Sequence, residues 1–236
     1  MQIFIDSADE KEIRHWLRQG VVDGVTTNPS IMLKDGMYDA EEGARRLCSL
    51  VGNRPVSVEV TSNDQDEMIE QAHGFASWGS NIVVKVPIVN ESGESCLRVI
   101  NTLHGEGIAV NATALLSFNQ ALLAAKAGAT YVSIFAGRIA DEGNDPSLTI
   151  RNVRQWLEDW KGAAKIIVGS VRSVIDVQNA ALAGAHIVTI PPQFLPKMID
   201  HKYTRDTVRQ FNRDAEKAFQ QIAVAQAASV EWGNGK

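Results

Sequence analysis

Residues 81–90 read NIVVKVPIVN, a run of β-branched apolar residues interrupted by one lysine, Lys85. Valine and isoleucine in near-unbroken series mark a strand, and the missing polar alternation marks one covered on both faces, as in parallel sheets. A charged amine inside such a strand needs a reason. Burial disfavours the ammonium form, so the side chain either finds a carboxylate partner or gives up its proton and becomes a nucleophile. The second outcome opens Schiff-base chemistry.

Working outward, runs of the same character recur at 2–6 (QIFID), 24–28 (GVTTN), 55–60 (PVSVEV), 107–113 (GIAVNAT), 130–135 (TYVSIF), 164–169 (AKIIVG) and 186–191 (HIVTIP), which makes eight with the lysine strand. Between most of them lie segments of helical spacing, such as DEKEIRHWLRQG, SCLRVINTLHGEG and VIDVQNAALAGA, several closed by glycine. Strict alternation of buried strands and helices predicts an α/β fold, a single-domain (β/α)8 TIM barrel over residues 1–236. A doubly wound open sheet is the rival, but neither GxGxxG nor GxxxxGK[ST] follows the first strand. Residues 204–230 read as a terminal amphipathic helix packing on the barrel or on a neighbouring subunit, and the closing EWGNGK is expected to be mobile.

Composition narrows the function classes. With 44% apolar and 22% charged residues in 236, the chain falls among soluble globular proteins. A net charge of −5, with no Lys/Arg cluster interleaved with aromatics, argues against nucleic acid as a partner. No apolar window reaches the ~18 residues of a membrane span, and MQIFIDSADEKEI carries acids where a secretory signal has a basic start, so a cytoplasmic protein is expected. Cys48 and Cys96 form no CxxC or His-spaced pattern, and His15, His73 and His104 lack a partner at i+4, so neither metal nor cofactor is expected.

In a (β/α)8 barrel the site forms at the carboxyl ends of the strands. Polar or aromatic residues stand at those ends here: Asp6, Thr26 with Asn28, Glu59, Lys85, Asn111 with Thr113, Ser133 with Phe135, and Ser170. Asp6 or Asn28 taken singly reads more simply as a helix cap or turn former. Glu59 and Lys85 are harder to set aside, because neither type is buried unless paired; a structural Lys85–Glu59 ion pair is the plainest alternative to catalysis. Arg138 in GRIADEG and Arg172 in VGSVRS follow the sixth and seventh strands, where a guanidinium pair near a Gly-Ser turn and a helix start would suit a phosphate. Two surface arginines is the competing explanation.

Taken together, IDSA, VTTNPS, SVEV, VVKVP, VNATAL, VSIFAGRIAD and GSVRS closely resemble the transaldolase and fructose-6-phosphate aldolase family. The resemblance implies a metal-independent class I mechanism of the pentose phosphate pathway type, in which Lys85 forms an imine with a ketose phosphate and holds a dihydroxyacetone unit after carbon–carbon cleavage. It implies Asp6 as the proton-transfer group, Glu59 with Thr113 as the pair that activates a water, and Asn28, Asn111 and Ser133 as binders of the dihydroxyacetone hydroxyls. Members of this family assemble as rings, so a homo-oligomer, pentamer or decamer, is expected by analogy. Aldolase members carry glutamine, alanine and tyrosine where this chain has Glu59, Ser133 and Phe135, which points to transfer rather than release. The segment HKYTRD departs from the family pattern, with Lys202 in place of a proline and Arg205 in place of an acid. Arg138 and Arg172 would accept a phosphate, a sulfonate or a carboxylate tail alike.

Overall fold

The computed structural model describes the backbone of residues 1–233 and the side-chain surroundings of residues 1–225. Eight parallel strands, β1 (Gln2–Asp6), β2 (Gly24–Thr26), β3 (Val56–Glu59), β4 (Ile82–Pro87), β5 (Val110–Leu115), β6 (Tyr131–Phe135), β7 (Lys165–Gly169) and β8 (Ile187–Ile190), pair in chain order, and β8 closes onto β1. The predicted barrel is thus present, each strand falling within its predicted run except β5, which continues past Thr113 to Leu115. Around it lie α1 (Glu10–Arg18), α2 (Pro29–Lys34), α3 (Ala40–Val51), α4 (Gln65–Ala76), α5 (Leu97–Gly105), α6 (Phe118–Lys126), α7 (Ala136–Asp141), α8 (Pro146–Asp159) and α9 (Val174–Leu182).

Local chemistry starts these helices. Asp9, Asp39, Asp64, Ser117, Asp145 and Ser173 each accept a backbone N–H of the first turn of the helix they precede, and Ser173 with Asp176 completes a capping box. Two helices lie where periodicity gives little signal. Helix α2 has six residues, too few for a repeat, and rests on Pro29 at its start and the Asn28 cap. In α7 the segment GRIAD, which follows the sixth strand directly, is wound into a helix of six residues with Ala136. Cys48 lies within α3, while Cys96 caps α5 rather than sitting inside it, and both are buried.

Inward-facing side chains alternate along each strand, so residues matched by register stack in layers. Near the amino ends, Phe4, Ile167 and Ile187 pack together, with Tyr131 set edge-on against Phe4 at 6.2 Å. Gly24, opposite Phe4 on β2, leaves the space that the ring fills: a Cβ there would sit 2.6 Å from Phe4 Cε1. Gly24→Ala is therefore expected to destabilise the protein by about 1–3 kcal/mol, the usual cost of overpacking a full core, read as a lowered midpoint in urea unfolding.

At the same end, His186 Nδ1 accepts the backbone N–H of Ile166 at 3.0 Å, a bond available only while that nitrogen is unprotonated. Burial first, then Arg154 and Lys165, hold this imidazole below its usual 6.5. The unfolded chain therefore binds the proton more readily than the folded one, so the stability present above about pH 6.5 should fall as pH drops through the lowered folded value. His186→Asn, which keeps an acceptor without titrating, should flatten that part of the stability–pH curve.

From Leu195 onward the chain forms a second unit, containing α10 (Leu195–Ile199) and α11 (Lys202–Gly233). Arg205 of the unusual HKYTRD segment pairs with Asp200, and Arg209 with Asp206. Val208, Phe211, Phe219 and Ile222 are exposed and recur at helical spacing. Glu231 to Gly233 continue α11, whereas the mobility expected for the rest of EWGNGK concerns residues 234–236, outside the described residues.

Candidate active site

The carboxyl ends of the strands bring together most of the residues singled out in the sequence. Lys85 on β4 is buried, and its Nζ lies 2.9 Å from Glu59 Oε2 on the neighbouring β3. The same nitrogen donates to the Thr27 carbonyl at 2.9 Å. The ion pair weighed as an alternative to catalysis is thus real in this structure. Two acceptors fix two of the three free positions on a tetrahedral nitrogen, and the third carries a proton in the ammonium and a lone pair in the amine. Glu59, with 22% of its side chain exposed, stands where it can take that proton while still reaching solvent.

Asp6 ends β1 directly opposite Thr26 on β2, and its Oδ1 accepts from Thr26 Oγ1 at 2.6 Å. Burial pushes the Asp6 carboxyl above the ordinary carboxylate value; the Thr26 hydrogen bond and Lys85 oppose the rise, while Glu59 and Asp35 add to it. Asp35, beyond α2, holds the turn after Asp6 by accepting from Ser7 Oγ at 2.9 Å and from the Ala8 N–H at 2.8 Å.

Asn111 on β5 is level with Lys85 and wholly buried. Its Oδ1 accepts from Ser133 Oγ at 2.7 Å, and its Nδ2 donates to Ser57 Oγ at 3.3 Å. Thr113, two residues on and so on the same face, is buried with no hydrogen-bond partner for Oγ1 among the described residues. The strand bulges just beyond it, and Ala114 adopts φ of 58°, a conformation uncommon outside glycine that gathers at functional sites. Asn28 is committed in part to the fold: its Oδ1 caps α2 by accepting from Ile31 N–H at 2.9 Å, leaving the amide NH2 for other partners.

The expected anion site is arranged differently from its sequence picture. Arg172 forms a two-pronged pair with Asp141 at the end of α7, Nη2 to Oδ2 at 2.6 Å. That contact, with Arg138 adding to it, holds the Asp141 carboxyl below its usual range, and the same contact, with Asp176 adding to it, raises the Arg172 guanidinium. The backbone N–H groups of Arg172 and Ser173 are taken by Asp176, each at 2.9 Å. Ser170, at φ of 57°, accepts the Gly137 N–H through its carbonyl at 3.1 Å. A Cβ at Gly137 would stand 2.3 Å from that oxygen, so glycine is what lets the two loops meet. Phe135 closes β6 and turns its ring towards Gly169 on β7.

Four participants were not singled out from sequence. Ser57 sits two residues before Glu59 and shares its face, which period-2 reading could have found. Thr189 is the one polar residue of strand β8, and its hydroxyl meets that of Thr26. Thr27 acts through its carbonyl, which leaves no mark in side-chain pattern, and Asp35 acts through a carboxylate that reaches Ser7 and Ala8 from 27 or 28 residues away.

Comparison with known proteins identifies the family. The chain is 42% identical over 221 residues to "Probable transaldolase 2" of Listeria monocytogenes serovar 1/2a, covering 94% of this chain and 98% of that one. It is 43% identical over 220 residues to a "Probable transaldolase" of Lactiplantibacillus plantarum, covering 93% and 98%. Among solved structures, a mandelate oxidase mutant with a monooxide FMN adduct superimposes with a TM-score of 0.57 at 14% identity. That match covers 81% of this chain and 64% of the other, and it reflects the barrel fold alone. Residues 3–231 match the transaldolase/fructose-6-phosphate aldolase family, to which this chain belongs.

Proposed function

We propose that the protein is a transaldolase that moves a dihydroxyacetone unit from a ketose phosphate of the fructose 6-phosphate type to an aldose acceptor. The observation that carries this reading is the buried Lys85 amine, held by Glu59 and Thr27 in a barrel mouth that also gathers Asp6, Asn111 and Ser133. Glu59 takes a proton from Nζ, and the freed lone pair attacks the ketose C2 carbonyl. Loss of water from the carbinolamine gives the iminium. Thr113 and Glu59 hold the water that carries these protons, a role suited to a buried hydroxyl without another partner among the described residues. Asp6 removes the C4 hydroxyl proton, the C3–C4 bond breaks, and its electron pair passes into the iminium to leave an enamine. An acceptor aldehyde is then attacked by the enamine carbon, Asp6 returns the proton, and hydrolysis frees Lys85. The iminium is the electron sink that a zinc ion supplies in metal-dependent chemistry, so this reading needs no metal.

Asn28 through its amide NH2, Asn111 and Ser133 bind the dihydroxyacetone hydroxyls, with Thr26 and Phe135 at the edges of that site. Arg138, Arg172 and Ser170 receive the anionic tail. A phosphate there exchanges with, or joins, the Asp141 carboxylate already in the Arg172 fork, in keeping with the two-pronged geometry that guanidinium offers any oxyanion. The remaining parts of the proposal are a cytoplasmic setting and a homo-oligomer in which the exposed apolar stripe of α11 meets a neighbouring subunit; among the described residues no helix is long and apolar enough to cross a membrane.

The Lys85–Glu59 contact also favours a second reading, a non-catalytic sugar-phosphate-binding barrel held together by a buried ion pair. Fructose 6-phosphate with borohydride, followed by peptide mass mapping, separates the two: the transaldolase reading expects a reduced adduct on Lys85, and binding without adduct or turnover defeats it. Adding erythrose 4-phosphate should restore multiple turnovers. Steady release of free dihydroxyacetone without any acceptor would instead identify a direct aldolase.

A further inference from the structure

We infer that Thr189 is a positioning residue for Asp6: its hydroxyl donates to Thr26 Oγ1, which commits the Thr26 proton to Asp6 Oδ1 and leaves Oδ2 as the oxygen that exchanges a proton with substrate. The inference rests on the transaldolase reading for the identity of that substrate and on geometry for the rest.

Strand β1 lies between β2 and β8, so residues 163 positions apart in the chain meet beside its end. Thr26 and Thr189 are both buried, and each side chain faces the barrel interior where Asp6 sits. Three groups share two contacts: Asp6 Oδ1 with Thr26 Oγ1 at 2.6 Å, and Thr26 Oγ1 with Thr189 Oγ1 at 2.5 Å. Each hydroxyl has one proton, and an ionised carboxylate only accepts. Thr26 therefore spends its proton on Asp6, and the second contact must be a donation from Thr189. With that polarity every hydroxyl proton of the set is bonded.

The reverse polarity fails on the same count. If Asp6 were protonated on Oδ1 and donated to Thr26, Thr26 would donate to Thr189. The Thr189 proton would then need another acceptor, and none besides Thr26 is present for it among the described residues. A buried donor without a partner is costly, so the chain keeps its direction when Asp6 takes up a proton, and that proton resides on Oδ2. The arrangement also favours the ionised form of Asp6, against the burial that disfavours it. The other charged groups facing Asp6 are Lys85 from β4, Glu59 from β3 and Asp35 from beyond α2.

Thr189→Val removes the donor and keeps the shape, and its methyl can stay beside Gly169 as the threonine methyl does. With fructose 6-phosphate as donor and erythrose 4-phosphate as acceptor, kcat should fall about three- to tenfold, the worth of one hydrogen bond, with KM little changed. The acid limb of the kcat profile should move to higher pH, and Thr189→Ser should restore both. In the free protein, the Asp6 carboxyl followed by carbon-13 NMR should titrate at higher pH in the valine variant than in the wild type. An unchanged Asp6 titration, or a valine defect that serine does not rescue, overturns the inference. Failure of the wild type to form a borohydride-trapped adduct would instead remove the transaldolase reading, since the NMR titration needs no turnover.

Discussion

Lys85→Met should lower kcat/KM for transfer from fructose 6-phosphate to erythrose 4-phosphate by at least about 10⁴-fold, a loss of the size that follows removal of a covalent nucleophile. Methionine matches the length and flexibility of the lysine stem, so the β4 strand and the packing around it persist. What disappears is the nitrogen that Glu59 and the Thr27 carbonyl hold at 2.9 Å each. Removing one member of a buried ion pair ordinarily strands the other, but Glu59 keeps 22% of its side chain exposed and can hydrate or take up a proton. The variant should therefore fold, retain fructose 6-phosphate binding through the residues that meet its hydroxyls and tail, and give no adduct with borohydride. Turnover above about one hundredth of the wild-type value would show that Lys85 does not carry the chemistry, and a folded variant that neither binds nor turns over would place its role in binding.

The barrel was legible because its strands are buried on both faces. Runs such as VVKV and KIIV could be read without knowing their partners, and their regular spacing implied parallel order. The lysine and glutamate stood out for the same reason, since charge inside an apolar run is conspicuous whatever lies across from it. What sequence did not disclose are relations between distant positions. The Asp141 carboxylate in the Arg172 fork joins residues 31 apart, and the hydroxyl pair of Thr26 and Thr189 joins residues 163 apart. Threonine also blends into a strand because its shape suits one, so Thr189 in HIVTIP reads as packing until the closure of β8 onto β1 brings it to Thr26, beside Asp6. Backbone roles, such as that of the Thr27 carbonyl towards Lys85, have no side-chain signature at all.

The expected anion site shows why residue type and role separate. Arginine after β7 and arginine on α7 suit a phosphate, and GSVRS places backbone N–H groups near them. In the folded chain Asp176 takes those N–H groups as part of the α9 cap, and Asp141 takes the guanidinium fork. On the proposed reading, an incoming dianion would compete with a carboxylate already in place. Such a competition favours tails of higher charge over singly charged ones, which bears directly on the choice among phosphate, sulfonate and carboxylate.

Asp6→Asn should separate the two halves of the reaction. Asparagine keeps an oxygen for Thr26 Oγ1 to donate to at the position now 2.6 Å away, but it cannot take up the C4 hydroxyl proton. Cleavage should slow by about 10²–10⁴-fold, the range for loss of a positioned general base, while Lys85 still forms a borohydride-trappable imine. Because burial lifts the Asp6 carboxyl above its ordinary value of 3.8, the wild-type rate should fall on acidification at a higher pH than a solvated aspartate would give, and that limb should vanish in the variant. The sign for stability is the opposite. A carboxyl whose folded value is raised binds its proton more readily in the folded state, so wild-type stability declines as pH rises from 3.8 through the folded value. Above that range the neutral asparagine avoids the cost of a buried charge, and the variant should melt higher than the wild type at pH 7 while being nearly inactive. A variant that melts no higher would mean that the charge on Asp6 is not strained by its surroundings, and one that cleaves within tenfold of the wild type would mean that it is not used in proton transfer.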